Sequence, residues 1–309
     1  MENRFNNTYY DHFSKRYLTE IPEFVDGVNY MMRFVTPLKS YTYLNNSLTI
    51  TFIKQGSGQL TWQSGTKKKI KVKDDRFVVV NADCGWNYQN NLNDDLDVLS
   101  LVVSNEMRKR FNFYAVASER QLLDNPFNQI DGDFFYLENS LSANQFITGR
   151  TLRSIHERSH LQDFNWLSPL EMTIEVLKAL FIDTNEILFL SKKVNAKKRT
   201  TQIETLKRLS VAEEFIHDNL MKIISLSDIS TVSALSKHHL YDSFKRVYGK
   251  TPHQYTNFLK INKSIDYLQN GNFSVNDVAL LFGFSDYSVF SKLFKKIHGV
   301  SPSYYCTAR

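Results

Sequence analysis

The chain has 309 residues, a length for two domains rather than one, and 42% of them are hydrophobic, enough to give each domain a core. No apolar run approaches the roughly 20 residues of a membrane span, and the only cysteines, Cys84 and Cys306, stand far apart, which argues against both a membrane-spanning protein and a disulfide-stapled secreted one. A formal charge of +6 favours a polyanionic partner, and the polar start MENRFNNTYYDHF is unlike a signal peptide, so the expected location is the cytoplasm.

From about Thr42 to Val103 the chain alternates in polarity. LTITFI, QLTW, KIKVK, RFVVV and LDVLSLVV are strand-like runs, separated by turn signals at Gly56-Ser57-Gly58, Ser64-Gly65, Asp74-Asp75 and Asp94-Asp95. Short strands at this spacing predict a β-sandwich or jelly-roll barrel within a first domain spanning residues 1–140. Trp62, Trp86 and Tyr88 fall on or beside these strands. They form a candidate pocket for a small organic ligand, since aromatic rings offer contact area with a polar edge; core filling is the alternative.

His156-Glu157-Arg158-Ser159-His160 fits H-E-x-x-H, the helical pattern that binds zinc and activates water. A charged Arg158 lies inside it, no third ligand follows, and the flanking TLRSI and LQDFN lack a deep apolar stripe. The motif is therefore read as accidental and solvent-exposed, and no catalytic residue, metal or cofactor is expected. Ser168-Pro169-Leu170-Glu171 supplies a cap, an N1 proline and a capping-box glutamate, so a helix starts there. Leu170, Ile174, Leu177, Phe181 and Leu188 trace its apolar face, within a helical segment over 141–190. Residues 191–202 form a basic linker in which Lys192, Lys193, Lys197, Lys198 and Arg199 face no acid; it is either solvated or a phosphate contact, and a domain boundary in both cases.

The last domain, 203–309, repeats itself. FKRVYGKTPHQY at Phe244 to Tyr255 returns fifty residues later as FKKIHGVSPSYY at Phe294 to Tyr305, while SLSDI at Ser225 to Ile229 returns after forty-nine as SVNDV at Ser274 to Val278. One residue is therefore inserted inside the second copy. Ser225 and Ser274 each precede an aspartate by three, the capping-box spacing, so a helix starts at each. Ala234-Leu235-Ser236 and Gly283-Phe284-Ser285 then provide a small residue for a turn and a serine to cap the next helix. The second helices end at Gly249 and Gly299, followed by Thr251-Pro252 and Ser301-Pro302, a cap and an N1 proline for another helix.

A short helix, a three- or four-residue turn and a second, basic helix make a helix-turn-helix, whose second helix lies in the DNA major groove. Leu240, Phe244, Val247, Phe290, Phe294 and Ile297 would anchor the second helices, leaving the opposite face free. A solenoid would need at least three repeats, and there are two.

These residues, and GFSDYSVFSKLFKKIHGVSPSYY above all, resemble the AraC/XylS transcriptional regulators, whose DNA-binding domain joins two helix-turn-helix motifs by a long helix; the resemblance covers about Ile203 to Arg309. It departs from the family at Lys260 and Ser264, where arginine and alanine are usual, at Cys306, and at the acidic Asp242. By position it implies base contacts from His238, His239, Tyr241 and Asp242 in the first motif and from Tyr287, Ser288, Ser291 and Lys292 in the second. The paired histidines also fit a solvated helix start. Phosphate contacts would come from Ser236, Lys237, Lys245, Arg246, Lys250, Ser285, Lys295 and Lys296.

The fold class so implied is α+β: an N-terminal cupin-like (jelly-roll) β-barrel with helices, then an all-α domain of two helix-turn-helix motifs joined by a long helix. The cupin-like likeness rests on FIKQGSGQLTW, and the absence of histidine between Phe13 and Ile155 removes the ligands a catalytic cupin would need. The expected protein is a transcription regulator with double-stranded DNA as partner, dimerising through the 141–190 segment, with a small-molecule effector and RNA polymerase as further partners. A non-catalytic interaction scaffold with a degenerate DNA-binding domain is the alternative.

Overall fold

The computed structural model describes residues 27–37, 39–43, 47–64, 66–81, 85–90, 95–126, 128–129, 140–161, 169–270 and 273–306. Cys84, Gly65, Asp94, Ser168 and the His160 side chain lie outside the described residues. The chain divides into two compact units, Met1–Glu186 and Ile187–Arg309.

The first unit is a two-sheet sandwich. Its strands are β1 (Tyr30–Thr36), β2 (Ser40–Tyr43), β3 (Leu48–Gln55), β4 (Gly58–Ser64), β5 (Thr66–Val72), β6 (Arg76–Val80), β7 (Trp86–Asn90), β8 (Leu96–Val103) and β9 (Ser140–Ser142). They form a five-stranded sheet, β1-β8-β3-β6-β9, and a four-stranded sheet, β2-β7-β4-β5, with antiparallel pairing throughout. Among the described residues no ladder joins the two sheets, so the expected barrel is an open sandwich.

The inner faces share one core, to which Tyr30, Met32 and Phe34 of β1 and Val78 and Val80 of β6 contribute from one sheet and Leu60, Trp62, Trp86 and Tyr88 from the other. The five-stranded sheet is buried on its second face as well. Ile50, Phe52, Phe77, Leu99 and Leu101 are fully covered there, which is why RFVVV and LDVLSLVV read as nearly continuous apolar runs rather than alternating ones. Only the four-stranded sheet keeps a clear alternation, as in β7, where Trp86 and Tyr88 point inward and Gln89 outward.

Helices α1 (Asn105–Val116), α2 (Glu119–Asp124) and α3 (Ile147–Leu161) follow the strands, and α4 (Pro169–Ser191) completes this half of the chain. Phe52 packs edge-on against His156 of α3, and Phe77 against Phe146, which places α3 on the second face of the larger sheet. Asp183 of α4 accepts from the backbone N–H of Ile147 and Thr148 and from the Thr148 hydroxyl, at 3.1, 2.8 and 2.6 Å. A buried carboxylate from α4 thus caps the positive end of the helix before it, α3.

Two expectations are corrected here. His156 is not solvent-exposed: it is 1% accessible, with Nε2 3.1 Å from Arg33 Nε and 3.0 Å from Asp97 Oδ1. That nitrogen is turned toward a structural ion pair, while Glu157 of the zinc-like motif is exposed. The apolar face of α4 is also rotated from the expected one. Leu177 is buried, but Leu170, Ile174, Phe181 and Leu188 are half-buried, and the covered face is built from Met172, Val176, Leu177, Ala179, Leu180 and Ile187 around the polar Thr173, Asp183 and Thr184. Hydropathy alone could not include those three polar residues; Asp183 is buried together with the Ile147 and Thr148 groups that donate to it.

In the second unit, α5 (Arg199–Asp218) precedes two copies of one unit. The first is α6 (Leu226–Ser233) and α7 (Lys237–Tyr248), and the second α9 (Val275–Leu281) and α10 (Tyr287–His298), with α8 (Pro252–Gln269) between them and α11 (Pro302–Cys306) at the end. Both expected capping boxes form: Ser225 with Asp228 and Ser274 with Asp277. The hydrogen bonds from the capping serine hold both carboxyl groups below their ordinary value. Thr251 and Gln254 cap α8, with Pro252 in its first turn.

The repeat extends to ring geometry. Phe244 meets Tyr255 at 5.3 Å and 73°, and Phe294 meets Tyr305 at 5.6 Å and 72°. Phe244 also lies against Tyr248, and Phe294 against His298, with centroids 4.4 and 4.8 Å apart.

The left-handed turn after α6 is made by Ala234, φ +52°, where the second copy has Gly283, φ +74°. In both, the following amide reaches back into the helix, from Leu235 to the Ser230 carbonyl and from Phe284 to that of Ala279. A Cβ in this conformation is unfavourable, so Ala234→Gly is expected to stabilise the second unit by about 1 kcal/mol. Thermal unfolding would check this, and an unchanged or lower midpoint would contradict it.

Candidate nucleic-acid interface

Each second helix separates a buried row from an exposed one. In α7, Leu240, Ser243, Phe244 and Val247 face the core, while Lys237, His238, His239, Tyr241, Lys245 and Arg246 are exposed and Asp242 is half-buried. In α10, Phe290 and Phe294 are fully buried and Ile297 packs partly against them; Tyr287, Ser288, Lys292, Lys295 and Lys296 are exposed and Ser291 is half-buried. Tyr241 and Tyr287 keep 48% and 41% of their surface in solvent.

The two helices enter their turns differently. Ser236 caps α7 by accepting from the His239 amide, as expected. In the second copy the cap is Asp286, accepting from the Ser288 amide at 2.6 Å, and not Ser285. With Asp286 matching Ser236 as the cap, the residue inserted in the second copy is Ser285 itself; the connection from α9 to α10, Phe282 to Asp286, is two residues longer than that from α6 to α7 because α9 also ends one position earlier than α6. The alternative cap was available in sequence, because aspartate is as good an N-cap as serine.

The electrostatics also differ. Asp242 accepts from Arg246 Nε at 2.8 Å, one turn away, and this hydrogen bond holds the Asp242 carboxyl below its ordinary value. A residue assigned to bases and one assigned to phosphate are therefore tied together on α7. Helix α10 has Lys292, Lys295 and Lys296 and no acid within it, and two of these lysines lie in its last turn, where the helix dipole favours positive charge. Lys250, beyond α7, is half-buried, with Nζ 4.7 Å from the Phe258 ring centroid.

Beneath α7 lies a polar aromatic cluster. The Tyr255 hydroxyl donates to Glu213 of α5, and burial followed by the Glu213 charge pushes the Tyr255 and Tyr248 hydroxyls well above their ordinary values. Burial lowers His217 beside them. This cluster fastens α5 to the first motif, and no sequence signal identified it, because its members are neighbours only in space.

Of the candidate pocket residues, Trp86 and Tyr88 line a cavity of about 20 Å³ between the sheets with Thr49, Thr51, Leu60 and Val98. Trp62 is buried in the same core and pairs across the strands with Trp86, but does not line the cavity. A space of this size holds a water molecule and no organic ligand.

A family profile described as "Helix-turn-helix domain" matches residues 229–308. The HTH-type transcriptional activator AarP of Providencia stuartii is 35% identical over 91 residues, which are 29% of this chain and 67% of AarP. The probable transcriptional regulator LumQ of Photobacterium leiognathi is 33% identical over 93 residues, 30% of this chain, and the match spans only 38% of LumQ. A probable AraC family transcriptional regulator from Rhodopseudomonas palustris superposes with a TM-score of 0.31 at 22% identity, over 32% of this chain and 94% of that one, too loose a fit to carry weight. With 35% identity across two thirds of AarP, and a helix-turn-helix profile matching residues 229–308, the chain belongs to the AraC/XylS family of transcriptional regulators.

Proposed function

We propose that the chain is a cytoplasmic, sequence-specific DNA-binding transcription regulator whose helices α7 and α10 enter successive major grooves. The observation that carries this reading is the paired design of the two helices, each pinned by a fully buried phenylalanine and each presenting a polar, cationic row to solvent. Bases would be read by His238, His239, Tyr241 and Asp242 on α7 and by Tyr287, Ser288, Ser291 and Lys292 on α10. Phosphates would be held by Ser236, Lys237, Lys245, Arg246, Lys250, Ser285, Lys295 and Lys296. The Asp242 carboxylate, an acceptor only, suits the amino group of cytosine, and Lys292 the acceptor edge of guanine.

The two classes of contact are separable by experiment. Lys295→Ala should weaken binding to all sequences and lower the salt slope by about one, with sequence preference intact. Lys292→Ala should relax discrimination at one base position by about 1 to 3 kcal/mol. Gel shifts on duplexes selected from a random library, repeated across a salt series, measure both. A Lys292→Ala protein with unaltered affinity and preference would remove α10 from the groove.

The rest of the chain would serve regulation. On α4, Ile182 and Phe189 stand seven residues apart, 51% and 61% exposed, beside the half-buried Ile174, Phe181 and Leu188. These residues recur at intervals of seven along one side of the helix, and the occupant of that side in our reading is α4 of a second copy. Sedimentation of a Phe189→Glu variant tests it: a wild-type dimer that persists in the variant would exclude this seam. A small-molecule effector would have to part the two sheets around Trp86 and Tyr88, because the present cavity is too small for it. Contact with RNA polymerase completes the reading for an activator.

A further inference from the structure

Helix α8 joins the two motifs, and one of its lysines is buried. Lys260 is 6% exposed, and its Nζ donates to the carbonyl of Phe282 at 2.7 Å and to that of Lys222 at 3.1 Å. Phe282 ends α9, the first helix of the second motif, and Lys222 lies in the turn that follows α5, which packs on the first motif. Both carbonyls sit at or just past helix C-termini, where no intrahelical N–H reaches them and a positive charge is favoured.

The surroundings close on this ammonium group. Gly283 follows Phe282 with φ +74°, and a Cβ there would stand 3.3 Å from Ile223 Cγ1 and 3.4 Å from Lys260 Nζ. Nζ also lies 5.9 Å from the centroid of the Phe284 ring. Each motif leans on α8, and direct packing of α6 or α7 against α9 or α10 is sparse. The cross-link through Lys260 therefore joins the turn that leads from α5 into the first motif to the second motif, two parts that otherwise communicate mainly through α8.

We propose that Lys260 is a positioning residue: by tying the turn after α5 to the end of α9, it sets the relative placement of the two recognition helices, and so the spacing of DNA half-sites the chain prefers. The proposal rests on the DNA-binding reading. Two helices on one stiff block can dock together only where the grooves match their separation. Cutting the cross-link lets the second motif shift on α8, widening the range of spacings accepted while each motif still reads its own half-site.

The test uses the full chain and duplexes it selects from a random library, with the half-site spacing then changed by one base pair in each direction, beside a duplex carrying a single half-site. For K260M, discrimination between the best spacing and its neighbours should fall roughly tenfold, the equivalent of one charge-assisted hydrogen bond, with single half-site affinity unchanged. K260R, whose guanidinium fork can reach both carbonyls, should restore the discrimination. Circular dichroism establishes folding; should K260M not fold, K260Q, with an amide donor for one carbonyl, takes its place with the same expectation. Unchanged spacing preference would overturn the proposal, and so would equal losses on single and double half-sites, which mark a purely stabilising role. A wild-type chain that selects no duplex sinks the DNA-binding reading itself, whereas a binding wild type with an indifferent K260M sinks only the role of Lys260.

Discussion

Replacing Phe294 by alanine is expected to destabilise the second unit by about 3 to 5 kcal/mol, the cost of emptying a well-packed aromatic site. Phe294 is fully buried, and its ring meets Phe290, His298 and Tyr305 at centroid distances of 5.7, 4.8 and 5.6 Å, so no single neighbour can relax into the space. A domain has only about 5 to 15 kcal/mol of stability to lose, and a drop in melting temperature on the order of 15 °C should follow. DNA affinity should fall with the folded fraction, because the same residue holds the exposed row of α10 in place. Phe294→Leu, which keeps an apolar side chain there, should cost about 1 kcal/mol. Thermal melts of the two variants decide the matter: if Phe294→Ala melts with the wild type, the buried row of α10 is misplaced.

The second large effect belongs to the sandwich. Asp97→Ala should destabilise the first unit by about 3 to 5 kcal/mol, because it leaves Arg33, 6% exposed, and His156, 1% exposed, without the carboxylate they face. Arg33 Nη2 lies 3.2 Å from Asp97 Oδ2, and Arg33 Nη1 donates to the Ser159 hydroxyl at 3.3 Å, so the carboxylate anchors β1, β8 and α3 at one point. His156 Nε2 either accepts from Arg33 or donates to Asp97; it cannot do both, and Asp97 is required in either arrangement to balance the guanidinium.

This group also sets an acid limit. Burial alone would raise the Asp97 carboxyl, but hydrogen bonds and charge from His156 and Arg33 outweigh it and hold the group below its ordinary value. A carboxyl lowered in the folded state contributes stability that is fully present above its unfolded value, about 3.9, and is lost as pH falls through the folded one. Wild-type stability should therefore drop as the pH falls below about 4. An Asp97→Asn chain should start less stable and lose less over that range. Equal acid slopes for the two proteins would show that Asp97 is not an anchor.

Much of the helical half was legible because its signals are local. A capping serine and its aspartate are three residues apart, and Gly249 and Gly299 take the left-handed conformation with φ of +73° and +78° at the ends of α7 and α10. The repeat alone marks Phe244 and Phe294 as equivalent anchors, and both are fully buried. Choosing between Ser285 and Asp286 as the cap was not possible on the same terms, since both residue types cap well and only the path of the turn selects one.

Legibility was poorer in the sandwich. The strand β1, YMMRFVT, carries an arginine at its centre, which breaks any apolar pattern; Arg33 is buried only because Asp97, 64 residues on, and His156, 123 residues on, meet it. The same cause hid the true face of α4. Asp183 is a poor core residue by composition and a good one once it caps α3.

Sequence by itself determined where α6, α7, α8 and α9 begin and where α7 and α10 end, that two copies of one motif exist, and which rows of α7 and α10 are buried, because those features follow from backbone conformation and side-chain spacing within a few residues. Tertiary structure alone decided which polar groups are buried, how the sandwich is covered on its outer face, and that Lys260 ties the turn after α5 to the second motif. A charged or polar side chain can leave water only when distant partners arrive to replace it, and that arrival is a property of the folded chain.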